Sequence, residues 1–227
     1  MIIGNGLLAK SFAPYFQVDS SVIVFASGVS NSREINNAAF LREVSMLLDA
    51  MSLRKKLLYF STCSIEDPEL QNTPYVQHKK NMEAMVSAVS GNCIFRLPQV
   101  VGKTSNPHTL TNYLHHQIIL GTNFQIWEHA KRNLIDVDDV ASIVNYLVCS
   151  ALKSEVPINI ASPFSVSIPL LVKTFEFVLG AKASFTMIEA GGSYEIQSEL
   201  TQQAATELGI SFDDGYIERL IRKYYGN

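Results

Sequence analysis

The chain has 227 residues, 47% hydrophobic and 17% charged, which suits one medium domain or one domain with a small lobe and excludes a disordered chain. A formal net charge of -3 gives no general attraction to nucleic acid or to an anionic membrane, and the densest basic run, Arg54-Lys55-Lys56, reads as a helix C-terminus. No apolar run has the length of a membrane span and the N-terminus lacks the pattern of a signal peptide, so the expected address is the cytoplasm.

Short apolar runs alternate with amphipathic stretches, which predicts an α/β fold: a parallel sheet with helices on both faces. Strands are expected at 1–3, 22–25, 57–60, 93–97 and 124–127, and helices at 7–16, 39–51, 75–90, 109–120, 137–151, 168–179, 197–208 and 216–224. Near Ser154 the alternation weakens and Pro157, Pro163 and Pro169 punctuate the chain. This predicts a core over residues 1–153 and a small C-terminal substrate lobe over 154–227, both within one compact unit. Cys63, Cys93 and Cys149 are odd in number and widely spaced, so they read as reduced thiols and not as a disulfide frame or zinc site.

Gly4-Asn5-Gly6-Leu7-Leu8-Ala9 follows the first strand and opens the first helix, the context required of a G-x-G-x-x-G/A phosphate turn. The first glycine allows a tight turn, the second lets backbone N–H groups approach a pyrophosphate, and Ala9 permits close helix packing. A glycine-bearing turn that binds nothing is the plainer alternative. Asp19 is the acidic residue in range of an adenosine ribose, but it precedes the second strand and could equally begin a turn.

The third strand leads into Ser61-Thr62-Cys63-Ser64, which puts hydroxyls at the carboxyl edge of the sheet. Pro74 suits the first turn of the next helix, and Tyr75 and Lys79 then share one face, one turn apart. An ammonium near a phenol favours phenolate, so Tyr75 is expected to exchange a proton near neutrality, with Thr62 bonding the reacting oxygen. His78 is expected to point away from the Tyr75 face. Asp136, Asp138 and Asp139 read as a helix start and not as a metal site, and adjacent His115 and His116 face different ways, so no metal is predicted. Leu110, Tyr113, Leu114 and Ile118 read as a core stripe.

Together these residues resemble the extended short-chain dehydrogenase/reductase family, particularly nucleotide-sugar epimerases, dehydratases and deoxysugar reductases, from residue 1 to about residue 225. Gly4-x-Gly6-x-x-Ala9 is similar to that family's cofactor turn, and Phe25-Ala26-Ser27-Gly28 to the turn that lies along its cofactor. Ser61-Thr62 with Tyr75-x-x-x-Lys79 resembles the catalytic triad, and Glu83 sits where many members carry a glutamate. Residues 95–102 resemble the stretch after the sixth strand, and 132–141 a segment whose arginine reaches a nucleotide-sugar phosphate.

The resemblance implies a Rossmann-like fold and an NAD(P)-dependent oxidoreductase or epimerase acting on a nucleotide-activated sugar. The alternative is a member that binds a nucleotide-sugar or a partner without redox catalysis. It implies Thr62, Tyr75 and Lys79 as catalytic residues. Implied cofactor contacts, for NAD or NADP, are Gly4, Asn5, Gly6, Leu7, Leu8, Ala26, Ser27, Gly28, Ser61, Lys79, Leu97 and Pro98. Implied substrate contacts are Ser64, Asn112 and Arg132; Ser61 or Ser64 could replace Thr62 as the hydroxyl, and Arg132 reads equally as an exposed charge. Aligned this way, the family's second and third strands have no counterpart between residues 16 and 21. A homodimer follows from the same resemblance, with Met82, Met85, Val86 and Val89 on one side of the Tyr75 helix available to it or to the core.

Overall fold

In a computed structural model the protein is described for residues 1–150 and 156–226. The chain forms two compact units. The first holds Met1–Leu97 and Val137–Ile160, and the second Pro98–Asp136 with Ala161 onward. The division is therefore not the linear one expected: residues 98–136 belong with the C-terminal segment, because their strands find partners there. The boundary expected at Ser154 lies outside the described residues.

The first unit runs β1 (Ile2–Ile3), α1 (Leu7–Phe16), β2 (Val22–Phe25), α2 (Asn37–Ser52), β3 (Lys56–Thr62), a 3-10 turn at Cys63–Glu66, α3 (Pro74–Ser87) and β4 (Cys93–Leu97). After the second unit's first segment the chain returns with α5 (Val137–Cys149) and β9 (Ile158–Asn159). Among the described residues these strands form a parallel sheet in the order β1-β2-β3-β4-β9, with β1 at one edge. The run Val22-Ile23-Val24-Phe25 is buried throughout, as expected where helices cover both faces. Ile23, Phe25, Leu57 and Tyr59 pack with Leu47 and Ala50 of α2 and Met82 and Val86 of α3. On the other face Phe60 meets Phe12 of α1, ring centres 4.9 Å apart. The sheet's carboxyl edge thus lies where the glycine turns, Thr62 and the start of α3 gather.

Local signals explain the ends. Thr73 caps α3 by accepting a hydrogen bond from the Val76 N–H, with Pro74 in the first turn. Asn36 caps α2 through the Ala38 N–H, and Arg54 takes φ 52° where the basic run leaves that helix.

The second unit contains β5 (Gln99–Val101), α4 (Leu110–Leu120), β6 (Phe124–Trp127), β7 (Lys131–Arg132) and β8 (Leu134–Asp136), then β10 (Val166–Ser167), α6 (Ile168–Leu179), β11 (Phe185–Ile188), α7 (Glu199–Glu207) and α8 (Tyr216–Tyr225). Its strands pair two by two: β5 with β8, β6 with β11 and β7 with β10. The 124–127 strand, expected to extend the main sheet, pairs instead with β11. Leu114, Ile118, Leu134, Leu171, Phe175 and Leu220 lie in one core, while Tyr113 of the expected stripe is exposed. Asp136 is buried and accepts from Lys223 Nζ at 2.7 Å and Tyr224 OH at 2.6 Å, so it ties α8 down. Asp138 and Asp139 do occupy the first turn of α5.

Candidate functional site

At the front edge Gly4 has φ 126°, and a Cβ there would stand 2.4 Å from the Ala26 carbonyl oxygen. Gly4 is thus required for the turns after β1 and β2 to approach each other, with or without a ligand. Gly6 begins α1 with no side-chain cap and with open space where a Cβ would be, so the first N–H groups of α1, at Leu7 and Leu8, are left for an anion. Asp19 is occupied locally: its carboxylate accepts the N–H and O–H of Ser21, and its carbonyl accepts the N-terminal ammonium. It begins a turn.

Thr62 and Tyr75 are both buried, with the Thr62 hydroxyl near enough to favour the ionised form of the Tyr75 phenol. Thr62 Oγ1 also accepts the Ser64 N–H at 3.1 Å, which starts the 3-10 turn. Ser61 carries a buried hydroxyl with no partner. Lys79 Nζ lies 5.9 Å from the centre of the Tyr75 ring, yet its bonds go elsewhere, to Glu43 Oε1 at 2.9 Å and Tyr59 OH at 3.2 Å. Glu43, from α2, is wholly buried; it also accepts from Tyr59 OH at 2.7 Å and the Val29 N–H at 2.7 Å, and its Oε2 is 3.0 Å from His78 Nε2. Contrary to expectation, His78 does not turn away: it is buried against Phe40 and shares this carboxylate with Lys79. Gly28 packs on the pair, since a Cβ there would be 2.8 Å from both Glu43 Oε1 and Lys79 Nζ.

Burial raises the Glu43 carboxyl's pKa, but the bonds from His78, Lys79 and Val29 outweigh it and hold the group at about 2. Lys79 is pulled below the usual lysine value by burial, with Glu43 opposing the fall. Tyr75 departs from the expected lowered value: burial pushes its phenol up to about 12, against the Thr62 hydroxyl, and the Glu43 charge adds to the rise. At neutral pH Tyr75 is a phenol. Sequence reasoning missed Glu43 and Tyr59, although Glu43, Leu47 and Ala50 form the buried stripe of α2, and a carboxylate on such a stripe is itself a signal.

Glu83 pairs bidentately with Arg96 of β4, which also reaches Glu66, so it braces α3 against the sheet. Met82 and Val86 lie in the first unit's core, and Val89 is exposed. Leu97 ends β4, buried, while Pro98, Asn112 and Arg132 belong to the second unit. There Asn112 donates to the carbonyls of Thr104 and Asn106 and accepts from Tyr225 OH at 2.6 Å, so its amide is spent on shaping the 104–106 loop. Arg132 bonds the neighbouring Lys131 carbonyl. A cleft of about 550 Å³ within this unit is lined by Lys103, His108, Asn112, His116 and Tyr225, among others. No group of metal-ligating side chains occurs among the described residues, and no helix among them is long and apolar enough to cross a membrane.

The structure resembles a dTDP-glucose 4,6-dehydratase from Bacillus anthracis in complex with NAD, at TM-score 0.69 and 14% identity over 97% of this chain and 78% of that one. It resembles a UDP-glucuronic acid 4-epimerase from Bacillus cereus in complex with UDP-glucuronic acid and NAD, at TM-score 0.68 and 18% identity, covering 97% and 79%. RMD from Pseudomonas aeruginosa, complexed with NADPH, aligns at TM-score 0.67 and 15% identity, covering 97% and 85%. At such identities the likeness establishes the Rossmann-like fold. No curated protein matches the chain in sequence. The profile of the NAD dependent epimerase/dehydratase family matches residues 7–161, most of the chain, and the protein belongs to that family.

Proposed function

We propose that this protein is an oxidoreductase or epimerase of a nucleotide-activated sugar that works with NAD or NADP. The observation that carries the reading is the convergence of Thr62, Tyr75 and Lys79 at the sheet's carboxyl edge, beside an uncapped helix start. Gly6, Leu7 and Leu8 fit a pyrophosphate, and Ala26, Ser27, Gly28, Ser61, Leu97 and Pro98 are the further cofactor contacts the resemblance implies. Such a cofactor supplies or accepts hydride at a substrate carbon. Tyr75 exchanges the proton at the attached oxygen, Thr62 bonds that oxygen, and Lys79 keeps one N–H for a ribose hydroxyl beyond the two it spends on Glu43 and Tyr59. Ser64 and Arg132 are the substrate contacts of this reading. Asn112 would act through the loop it holds.

A second reading, a member that binds a nucleotide-sugar without redox chemistry, is favoured by one observation. Lys79 is only 2% exposed, and its ammonium is bonded to Glu43 and Tyr59. The small adenosine end supports it too: β1 is an edge strand, and Asp19 is occupied. The absent second and third strands of the family are part of this inference.

Fluorescence titration with NADH and NADPH separates the two. Saturable binding of either supports the first reading, and Tyr75→Phe then abolishes turnover with affinity nearly kept. Failure of both to bind, with and without nucleotide-sugars, leaves the second. A homodimer and a cytoplasmic address belong to the same proposal; light scattering tests the dimer.

A further inference from the structure

The inference rests on the first reading above and concerns how the site handles protons. Glu43 has about four acceptor directions, and each is taken: by Tyr59, Lys79, Val29 and His78. These partners come from β3, from α3 and from the turn after β2, so one carboxylate joins the elements around Lys79. Gly28 closes over the ion pair from its remaining side. A lone buried ammonium stabilises a nearby phenolate. With a carboxylate 2.9 Å from that ammonium, a phenolate at Tyr75 would meet a nearly neutral pair and receive little help.

We propose that Glu43 is a positioning residue, which clamps the Lys79 ammonium and keeps Tyr75 a phenol, so that the site donates a proton and works in the direction of reduction. Tyr75 passes its proton to a carbonyl oxygen as the carbonyl carbon takes up hydride. The carbonyl becomes an alcohol, the dihydronicotinamide of the preceding reading is oxidised, and the phenolate recovers a proton from solvent. Removing a proton from an alcohol requires phenolate, which the Glu43–Lys79 pair withholds.

The other groups facing Tyr75 do not reverse this. Burial and Cys63 act in the same sense as Glu43, and the Thr62 hydroxyl acts against them. Lys79 is the nearest cation on Tyr75's own helix, and Glu83 on that helix is neutralised by Arg96 from β4. From β3, Tyr59 is itself held protonated, by burial and by Glu43. His78 is turned to Glu43.

The test reads Tyr75 directly, without cofactor. In protein labelled with carbon-13 at the tyrosine ring, the Tyr75 signal is identified by its loss in Tyr75→Phe and followed against pH. In the wild type it stays phenolic to about pH 10. In Glu43→Gln its ionisation constant rises by about tenfold or more, and in Glu43→Gln/Lys79→Met that gain disappears. A wild-type phenolate near neutrality, or a folded Glu43→Gln in which Tyr75 titrates as in the wild type, overturns the proposal. Should Glu43→Gln not fold, Glu43→Met is read in its place with the same two outcomes, since burial by itself would also keep the wild-type Tyr75 phenolic. Failure of NADH and NADPH to bind is a separate result: it removes the redox reading, while the Tyr75 titration still decides whether Glu43 holds the phenol protonated.

Discussion

Single residues do different work here from what their spacing implied. Gly4, read from its motif as the residue that allows a tight turn, is demanded more strictly by the Ala26 carbonyl, which a Cβ would meet at 2.4 Å. Gly4→Ala is therefore expected to destabilise the fold by about 2–4 kcal/mol, through contact and a positive φ. Urea unfolding checks this, and an unchanged midpoint would refute the packing argument. The spacing of Tyr75 and Lys79 was legible, since helical periodicity alone puts residues four apart on one face. The partner of Lys79 was not legible: Glu43 lies 36 residues away on another helix, and nothing local joins them.

At the level of elements, strong local signals were readable. Thr73-Pro74 starts α3, the buried runs of β2 and β3 mark strands covered on both faces, and α1, α4 and α6 fall where their apolar periodicity puts them. The short strands β5, β7, β8 and β10 carry two or three residues each, too few for a period to register. The placement of α8 depends on Asp136, which read as a cap. Asp136→Ala removes the acceptor of Lys223 and Tyr224 and is expected to cost about 1–3 kcal/mol, discounted because Lys223 is largely exposed. Hydrogen exchange at the α8 amides should rise first; unaltered protection there would show that packing of Tyr216, Leu220 and Ile221 suffices.

For the whole molecule, acid stability reports the buried cluster. Glu43 has its folded pKa lowered from 4.5 to about 2, so its contribution is fully present above the unfolded value and is lost as pH falls through that window. The urea midpoint should thus decline between about pH 5 and about pH 2. A curve flat over that range would mean that Glu43 is not held as described. Exposed Asp213, also near 2, lies in solvent and contributes little.

Composition and periodicity by themselves determined the α/β class, the glycine turn and the face shared by Tyr75 and Lys79, because each is encoded within one or two turns of chain. Only the tertiary structure decided the rest: that residues 98–136 join the C-terminal segment, and that Lys79 answers to Glu43, Tyr59 and Gly28 more closely than to Tyr75. The physical reason is common to both. Strand partners and the counter-charge of a buried ammonium are long-range choices, made by desolvation and hydrogen bonding between segments that the linear order keeps apart.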